Sequence, residues 1–442
     1  MDELPSIWIS SIRWCNIWIL ICKVYILKTF HKLEQKFDWI DLITSINSNE
    51  YTFIDSNDGN YTFAWGSESE LVQTKFSSDL LLDFETKHSK QYLFGYLGYD
   101  AKTRFFESEE SRNPDFHKLA ESIFYVPKHI LFKKNKELVY FGTVAGFNEF
   151  KSITIKEYKS INTIDSLKLI CNTDFNTYQK NIASIHNHLQ QGNIYEMNYC
   201  INFTATNTDL NCIETFKKLK KNTKAPFSTI FKFNTTLILS ASPERFFNKL
   251  GKTILSQPIK GTAPRDSNKE KDLKIQKALL NNQKEISENI MIVDLVRNDL
   301  SKIANKNSVS VPELCKLYSF ETVHQLISTV KADIPNDLTF SEIVKHTFPM
   351  GSMTGAPKLS AIQIIEDIET FKRNIYSGTI GFIDPDNNMD FSVVIRSIIH
   401  NLATKTTSIS VGGAITIKST AKGEYDECLL KLKKIEESIT IN

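Results

Sequence analysis

The sequence has no paired-cysteine motif. Its cysteines, Cys15, Cys22, Cys171, Cys200, Cys212, Cys315 and Cys428, are irregularly spaced and odd in number, with no Cys-x-x-Cys among them. This argues against a zinc site and for a reducing compartment, the cytoplasm. An excess of one charge is also missing. The 53 basic and 51 acidic residues leave a net +2, which gives no electrostatic footprint for nucleic acid or for an acidic partner. No apolar run approaches the roughly 20 residues of a membrane-spanning helix. The most apolar stretch, residues 8–30, is broken by Arg13 and Lys23. Each such charge costs roughly 2.5–3.5 kcal/mol at a bilayer centre. Nor does this stretch read as a secretory leader, because Asp2 and Glu3 stand where a basic start belongs and no small-residue cleavage site follows. Residues 1–35 therefore read as an atypical apolar extension with three readings open: an upstream extension outside the mature protein, which is favoured, an interfacial segment, or an unusual first element. Repeats and low-complexity tracts are absent as well.

What remains is ordinary for a globular chain: 442 residues, 41% hydrophobic and 24% charged. That length suggests one large domain or two subdomains. A polar, poorly patterned stretch at 151–172 divides an N-terminal subdomain, 36–165, from a larger catalytic domain, 170–442. Apolar periodicity predicts helices over 80–87, 175–190, 282–304, 356–370 and 425–437. Between them lie β-branched and aromatic runs read as strands, among them 194–203, 227–233, 236–240, 377–383, 391–400 and 407–417. Strands and helices alternate through many hairpin-like steps, which points to an antiparallel or mixed α+β fold.

Several constellations stand out. Gln257-Pro258-Ile259-Lys260-Gly261-Thr262 follows a short strand, and Gly261 permits a tight turn, so Lys260 is expected at a strand-to-turn junction. Glu285 and Glu288, three apart, share one side of a helix. Glu424, Glu427 and Lys431 share a face of the last helix. Each pair alone reads as a solvated surface, but two acidic faces from distant sequence could meet around one Mg²⁺, an ion that takes few carboxylates. Gly351-Ser352 precedes a proline-initiated helix, a setting suited to an anion, while the residues after Gly355 exclude a nucleotide-binding P-loop. His324 reads as a core histidine. Arg396, in an apolar strand, calls for a bidentate carboxylate partner. Gly412-Gly413 allows close approach of a backbone amide to a ligand.

Ser242-Pro243-Glu244-Arg245-Phe246, Pro258 to Thr262, Ile292 to Asp299, Gly351 to Lys358, Ile395-Arg396-Ser397 and Gly423 to Lys431 occur in the order found in the chorismate-binding enzymes, which the chain resembles from about residue 174 onward and more weakly from about 37. The resemblance implies an anthranilate-synthase-like fold of two large, mostly antiparallel β-sheets packed as a core with helices outside. It also implies a Mg²⁺-dependent site for chorismate. By position, Glu288 and Glu427 resemble the metal-binding carboxylates, with Glu285 and Glu424 supporting them. Ser352, Tyr376, Arg396, Gly412 and Lys431 resemble the groups that hold the substrate carboxylates. Glu244 and His324 resemble the pair beside the C4 hydroxyl, where a general acid is needed.

Pro-Ile-Lys-Gly-Thr is similar to the aminodeoxychorismate synthase branch, whereas anthranilate synthases resemble Pro-Ile-Ala-Gly-Thr. Tyr195-Glu196-Met197-Asn198 and Ala225-Pro226-Phe227-Ser228 agree with the first branch. The resemblance therefore implies amination of chorismate to 4-amino-4-deoxychorismate for folate and p-aminobenzoate, with anthranilate formation as the alternative. Lys260 could serve as a nucleophile if its pKa is lowered. Phe53-Ile54-Asp55-Ser56 lacks the glutamate of the anthranilate synthases' tryptophan-feedback segment, so tryptophan inhibition is not expected. No cysteine sits in a Gly-x-Cys-x-Gly nucleophile elbow, so ammonia is expected from a separate glutamine amidotransferase subunit.

Overall fold

A computed structural model describes residues 28–34, 37–106, 110–160 and 167–439. Most of the expected N-terminal extension lies outside these residues. Its last part, Lys28–Leu33, is a strand paired antiparallel with Glu137–Thr143.

The expected two-sheet α+β architecture is present, and two long strands join the sheets. The first half of Tyr61–Gln73 pairs with the second half of Ser122–Lys134, and the second half with the first, with a bulge at Ser67 to Ser69. A bulge bends a strand and raises its twist, so one pair of strands can serve two sheets. On one side the ladder continues through Glu50–Asp55, Phe227–Phe233, Thr236–Ser242, Ser397–Asn401, Thr406–Ile415 and Glu196–Ala205. On the other it runs through Leu93–Leu97, Thr379–Ile383, Met389–Val393, Arg245–Leu250, Thr253–Gln257 and Val323–Asp333. These pairings are antiparallel, as expected from hairpin-like connections. They also cross the 165/170 division: Glu50–Asp55 lies beside Phe227–Phe233, and Leu93–Leu97 beside Thr379–Ile383. The segments before and after the division thus share both sheets and one core, in which Phe53 and Trp65 pack with Ile201 and Ile409.

Helices cover this core. Phe175–Gln190 starts at Asp174, whose carboxylate accepts from Thr177 N, and buries Tyr178, Ile182 and Ile185, one face at helical spacing. The Tyr178 ring meets Tyr425 on the last helix, Ala421–Glu436. That helix starts four residues earlier than its pattern predicts, because Thr420 caps it through Gly423 N, and Glu424 falls in its first turn.

One buried ion pair fixes the backbone around the site. Arg373 donates to both oxygens of Glu369, to Met353 O at 2.7 Å and to Asn198 O at 2.9 Å. Its side chain and that of Glu369 are 1% and 2% exposed. Removing one member of such a pair strands the other charge in the core. Arg373→Ala is expected to lower unfolding stability by roughly 3–5 kcal/mol, read from urea denaturation midpoints. A midpoint equal to the parent's would contradict that account.

Candidate active site

The chemistry gathers where Ile259–Pro264, the helix Gln283–Ser301, the start of Glu196–Ala205 and the helix Ala421–Glu436 converge. Lys260 does not sit at a strand end, as expected, but inside the strand Ile259–Pro264. Gly261 has φ +89°, and the register against Val323–Asp333 shifts between Ile259 and Thr262. The glycine makes a bulge rather than a turn because Val323–Asp333 offers partners on both sides of it. A Cβ on Gly261 would come within 3.2 Å of Glu285 Cβ, so the bulge seats Lys260 against the acidic helix.

Lys260 Nζ pairs with Glu196 Oε1 at 3.1 Å, the side chains being 13% and 2% exposed. The lowered pKa expected of a nucleophilic lysine is not found. Burial alone pulls it down, but Glu196, Glu288 and Glu244 outweigh burial and hold it above the usual lysine value. Glu196 is a site residue that sequence reasoning missed. The available signal was a carboxylate in an otherwise apolar strand, which needs a partner when buried.

Glu244 is buried just ahead of Arg245–Leu250. Burial raises its pKa to about 7, partly offset by the Ser352 hydroxyl and Lys260. The Ser352 hydroxyl is near enough to favour the carboxylate but is not in hydrogen-bonding geometry, so Glu244 Oε1 and Ser352 Oγ are both buried without a hydrogen-bond partner. Ser352 itself sits in a 3-10 turn, Gly351–Met353, and not at a helix N-terminus, since Gly355–Ala356 first adds a short strand against Met197 and Glu196. The helix starts only at Lys358, whose ammonium is buried on Asp299 Oδ2 at 2.5 Å and on the carbonyls of Thr347 and Pro349. The helix start is thus set six residues beyond Ser352, with the Lys358–Asp299 pair at it.

The two acidic helix faces do meet. Glu288 is buried, its pKa is pushed up to about 7 chiefly by burial, and its Oε1 has no hydrogen-bond partner. Burial likewise raises Glu285, with Glu427 and Glu424 adding to the effect. Lys284, a second residue missed in the sequence, bridges the helices, with Nζ 3.7 Å from Glu288 Oε1 and 3.4 Å from Glu424 Oε1. Glu427 is pushed up by burial but held below the usual value by Lys431 first, then Lys284 and Lys260. Lys431 Nζ is 2.6 Å from Glu427 Oε1 and donates to Gly412 O at 2.7 Å. A Cβ on Gly413 would lie 3.3 Å from Glu424 Oε2, so glycine there lets the strand approach the carboxylates.

Arg396 is not within a strand. It lies between Met389–Val393 and Ser397–Asn401 with φ +52°. Among the described residues no carboxylate pairs with its guanidinium, contrary to the expectation. Burial lowers its pKa while Tyr376 and Glu427 counter that, so an arginine is left facing the site without an anion. His324 stands apart. Nε2 lies 2.9 Å from Asp272 Oδ1 and Nδ1 2.8 Å from Ser319 Oγ, and neither partner belongs to the carboxylate group. With both ring nitrogens engaged it is a core histidine in this structure, not a neighbour hydrogen-bonded to Glu244. Asp55, in the segment compared with tryptophan feedback, is buried on Lys220 at 2.5 Å.

A paired lysine and an acid near neutrality, beside clustered carboxylates and an open arginine, suit an acidic substrate that must lose a hydroxyl. The chain belongs to the chorismate-binding enzyme family: the family profile, described as chorismate binding enzyme, matches residues 38–437. It is 38% identical over 262 residues to aminodeoxychorismate synthase component 1 of Klebsiella aerogenes, covering 58% of this chain and 56% of that one. The chain thus spans little more than half the length of the curated relatives of that name that it matches. It is 27% identical over 428 residues to anthranilate synthase component 1 of Saccharolobus solfataricus, covering 94% of this chain and 97% of that one. The fold is that of anthranilate synthase component I from Streptococcus pneumoniae, with a TM-score of 0.76 over 86% of this chain and 92% of that chain, at 21% identity.

Proposed function

We propose that the chain converts chorismate and ammonia to 4-amino-4-deoxychorismate, as the chorismate-handling component of an aminodeoxychorismate synthase feeding folate synthesis. One observation carries the reading. Lys260, in Pro-Ile-Lys-Gly-Thr, is 13% exposed and lies among Glu196, Glu244 and Glu288. The aminodeoxychorismate synthase relatives at 36–38% identity support it.

Each side chain has a part. Arg396, Lys431, Tyr376, Ser352 and the Gly412 backbone hold the substrate's carboxylates; the unpaired guanidinium has the strongest call on an anion. Glu244, half protonated near neutrality, supplies the proton that lets the C4 hydroxyl leave as water. Lys260 adds to the ring, and ammonia later takes its place at C4.

The donor set fits Mg²⁺. Glu285, Glu288, Glu424 and Glu427 are hard oxygen ligands, and Glu288 Oε1 is buried without a hydrogen bond, with only the Lys284 ammonium near it at 3.7 Å. Among the described residues no three acidic, histidine or cysteine side chains yet converge closely enough to hold an ion, and Lys284 stands between the two helices instead. When bound, Mg²⁺ would neutralise a substrate carboxylate.

Nitrogen comes from a separate glutamine amidotransferase subunit. Among the described residues no helix is long and apolar enough to cross a membrane, and the described cysteines are free thiols.

The test is a product assay with chorismate, Mg²⁺ and ammonium. The purified chain is expected to make 4-amino-4-deoxychorismate from ammonia and none from glutamine. Glutamine-dependent turnover without an added subunit would refute the partner. Fluorescent anthranilate as the main product would favour the second reading, anthranilate synthase component I, which the near full-length likeness to the Saccharolobus chain keeps open.

A further inference from the structure

Glu196 has no part in the chemistry described so far, yet its placement is tightly determined. It opens the strand Glu196–Ala205 opposite Ala356, and Tyr195 N donates to Ala356 O at 2.7 Å. Gly355 has φ +150°, and a Cβ there would meet Glu196 O at 2.2 Å, so only glycine lets the two backbones come this close. The side chain is 2% exposed. One oxygen, Oε1, lies 3.1 Å from Lys260 Nζ, while the other, Oε2, is buried with no hydrogen-bond partner. Among the described residues no other carboxylate oxygen is within ion-pairing distance of that ammonium.

We propose that Glu196 is the base that takes the proton from Lys260 and later returns it. The proposal rests on Lys260 acting as the nucleophile. An ammonium has no lone pair, so a proton must leave before the C–N bond forms. Carboxylates reach Lys260 from four elements: Glu196 on its strand, Glu285 and Glu288 on the helix Gln283–Ser301, Glu244 ahead of Arg245–Leu250, and Glu427 on the last helix. They stabilise the ammonium, and Glu196 alone touches it.

In the first half, an N–H proton of Lys260 passes to Glu196. The freed lone pair forms the bond to the ring and the C4–O bond breaks. Glu244 gives the proton that makes the leaving group water, and the adduct nitrogen is a secondary ammonium. In the second half, ammonia bonds to C4 and the lysine–ring bond breaks with its electron pair going to nitrogen. Glu196 returns its proton to the lysine, and the new C4 ammonium reprotonates Glu244. The net change is chorismate plus ammonia to the amine plus water.

The experiment is single-turnover adduct formation, read by protein mass, with chorismate and Mg²⁺ but no ammonia, between about pH 6.5 and 9. With rising pH the parent's rate of adduct formation should fall only as Glu244 loses its proton, because the acceptor for the lysine proton is internal. Glu196→Gln keeps the shape and an acceptor oxygen but cannot take a proton. It should be slower by at least ~10²-fold at pH 7, and its rate relative to the parent's should rise about tenfold per pH unit as solvent removes the proton. Glu196→Asp should keep the parent's profile at a reduced rate. Glu196→Gln forming the adduct at the parent's rate and with its profile would overturn the proposal while leaving Lys260 as nucleophile. A parent that forms no adduct would overturn both.

Discussion

Lys260→Ala is expected to lower chorismate turnover by at least ~10²-fold, the scale of losing a principal catalytic group. A covalent route splits one hard displacement into two easier ones, and only an amine at this position can take it. With chorismate and Mg²⁺ but no ammonia, the parent should gain the mass of chorismate less one water on the peptide containing Lys260, and the variant should not. Lys260→Arg separates charge from nucleophilicity. Its guanidinium can still pair with Glu196, which is 3.1 Å from the lysine nitrogen, but it stays protonated and cannot attack. It should therefore be as inactive as the alanine variant. An active arginine variant, together with a parent that forms no adduct, would mean that position 260 supplies only positive charge.

Glu288→Gln and Glu427→Gln are each expected to abolish turnover at ordinary Mg²⁺. Mg²⁺ is bound through very few protein carboxylates, so losing one is felt in full. Glu288 contributes a buried oxygen without a hydrogen-bond partner, which a cation would satisfy, while Glu427 is kept ionised by the surrounding lysines. Calorimetry should show weaker Mg²⁺ binding in both variants with the thermal unfolding midpoint little changed. For Glu288 the neutral amide even relieves the burial of a charge. Full activity with unweakened Mg²⁺ binding in either variant would remove that residue from the metal set.

The acidic helix faces were legible because their spacing is local. Glu285 with Glu288, and Glu424 with Glu427 and Lys431, fall on common faces by helix geometry alone. What bridges them was not legible. Lys284 reads as a surface lysine, and its place between Glu288 and Glu424 depends on two helices 140 residues apart in sequence coming together. Arg396 misled for a related reason. Its neighbours are apolar and strand-forming, but its left-handed backbone separates one strand from the next, and its guanidinium feels Tyr376 and Glu427 without pairing to a carboxylate among the described residues.

The sequence by itself determined most of the elements and an antiparallel or mixed α+β class, because apolar periodicity acts over a few residues, while the two-sheet arrangement followed only from the resemblance carried by the order of the motifs. It also supplied Lys260 and the carboxylates as candidates. Only the tertiary structure decided their states. Glu196 meets Lys260 because the Glu196 strand and the Lys260 bulge lie in different sheets brought together by the core. Glu244 and Glu288 titrate near neutrality because that same packing removes water from them. His324 is taken out of the carboxylate group because Asp272, on another helix, claims it. Charge state depends on burial and on neighbours distant in the chain, and a sequence lists residues without saying which of them will share a dielectric.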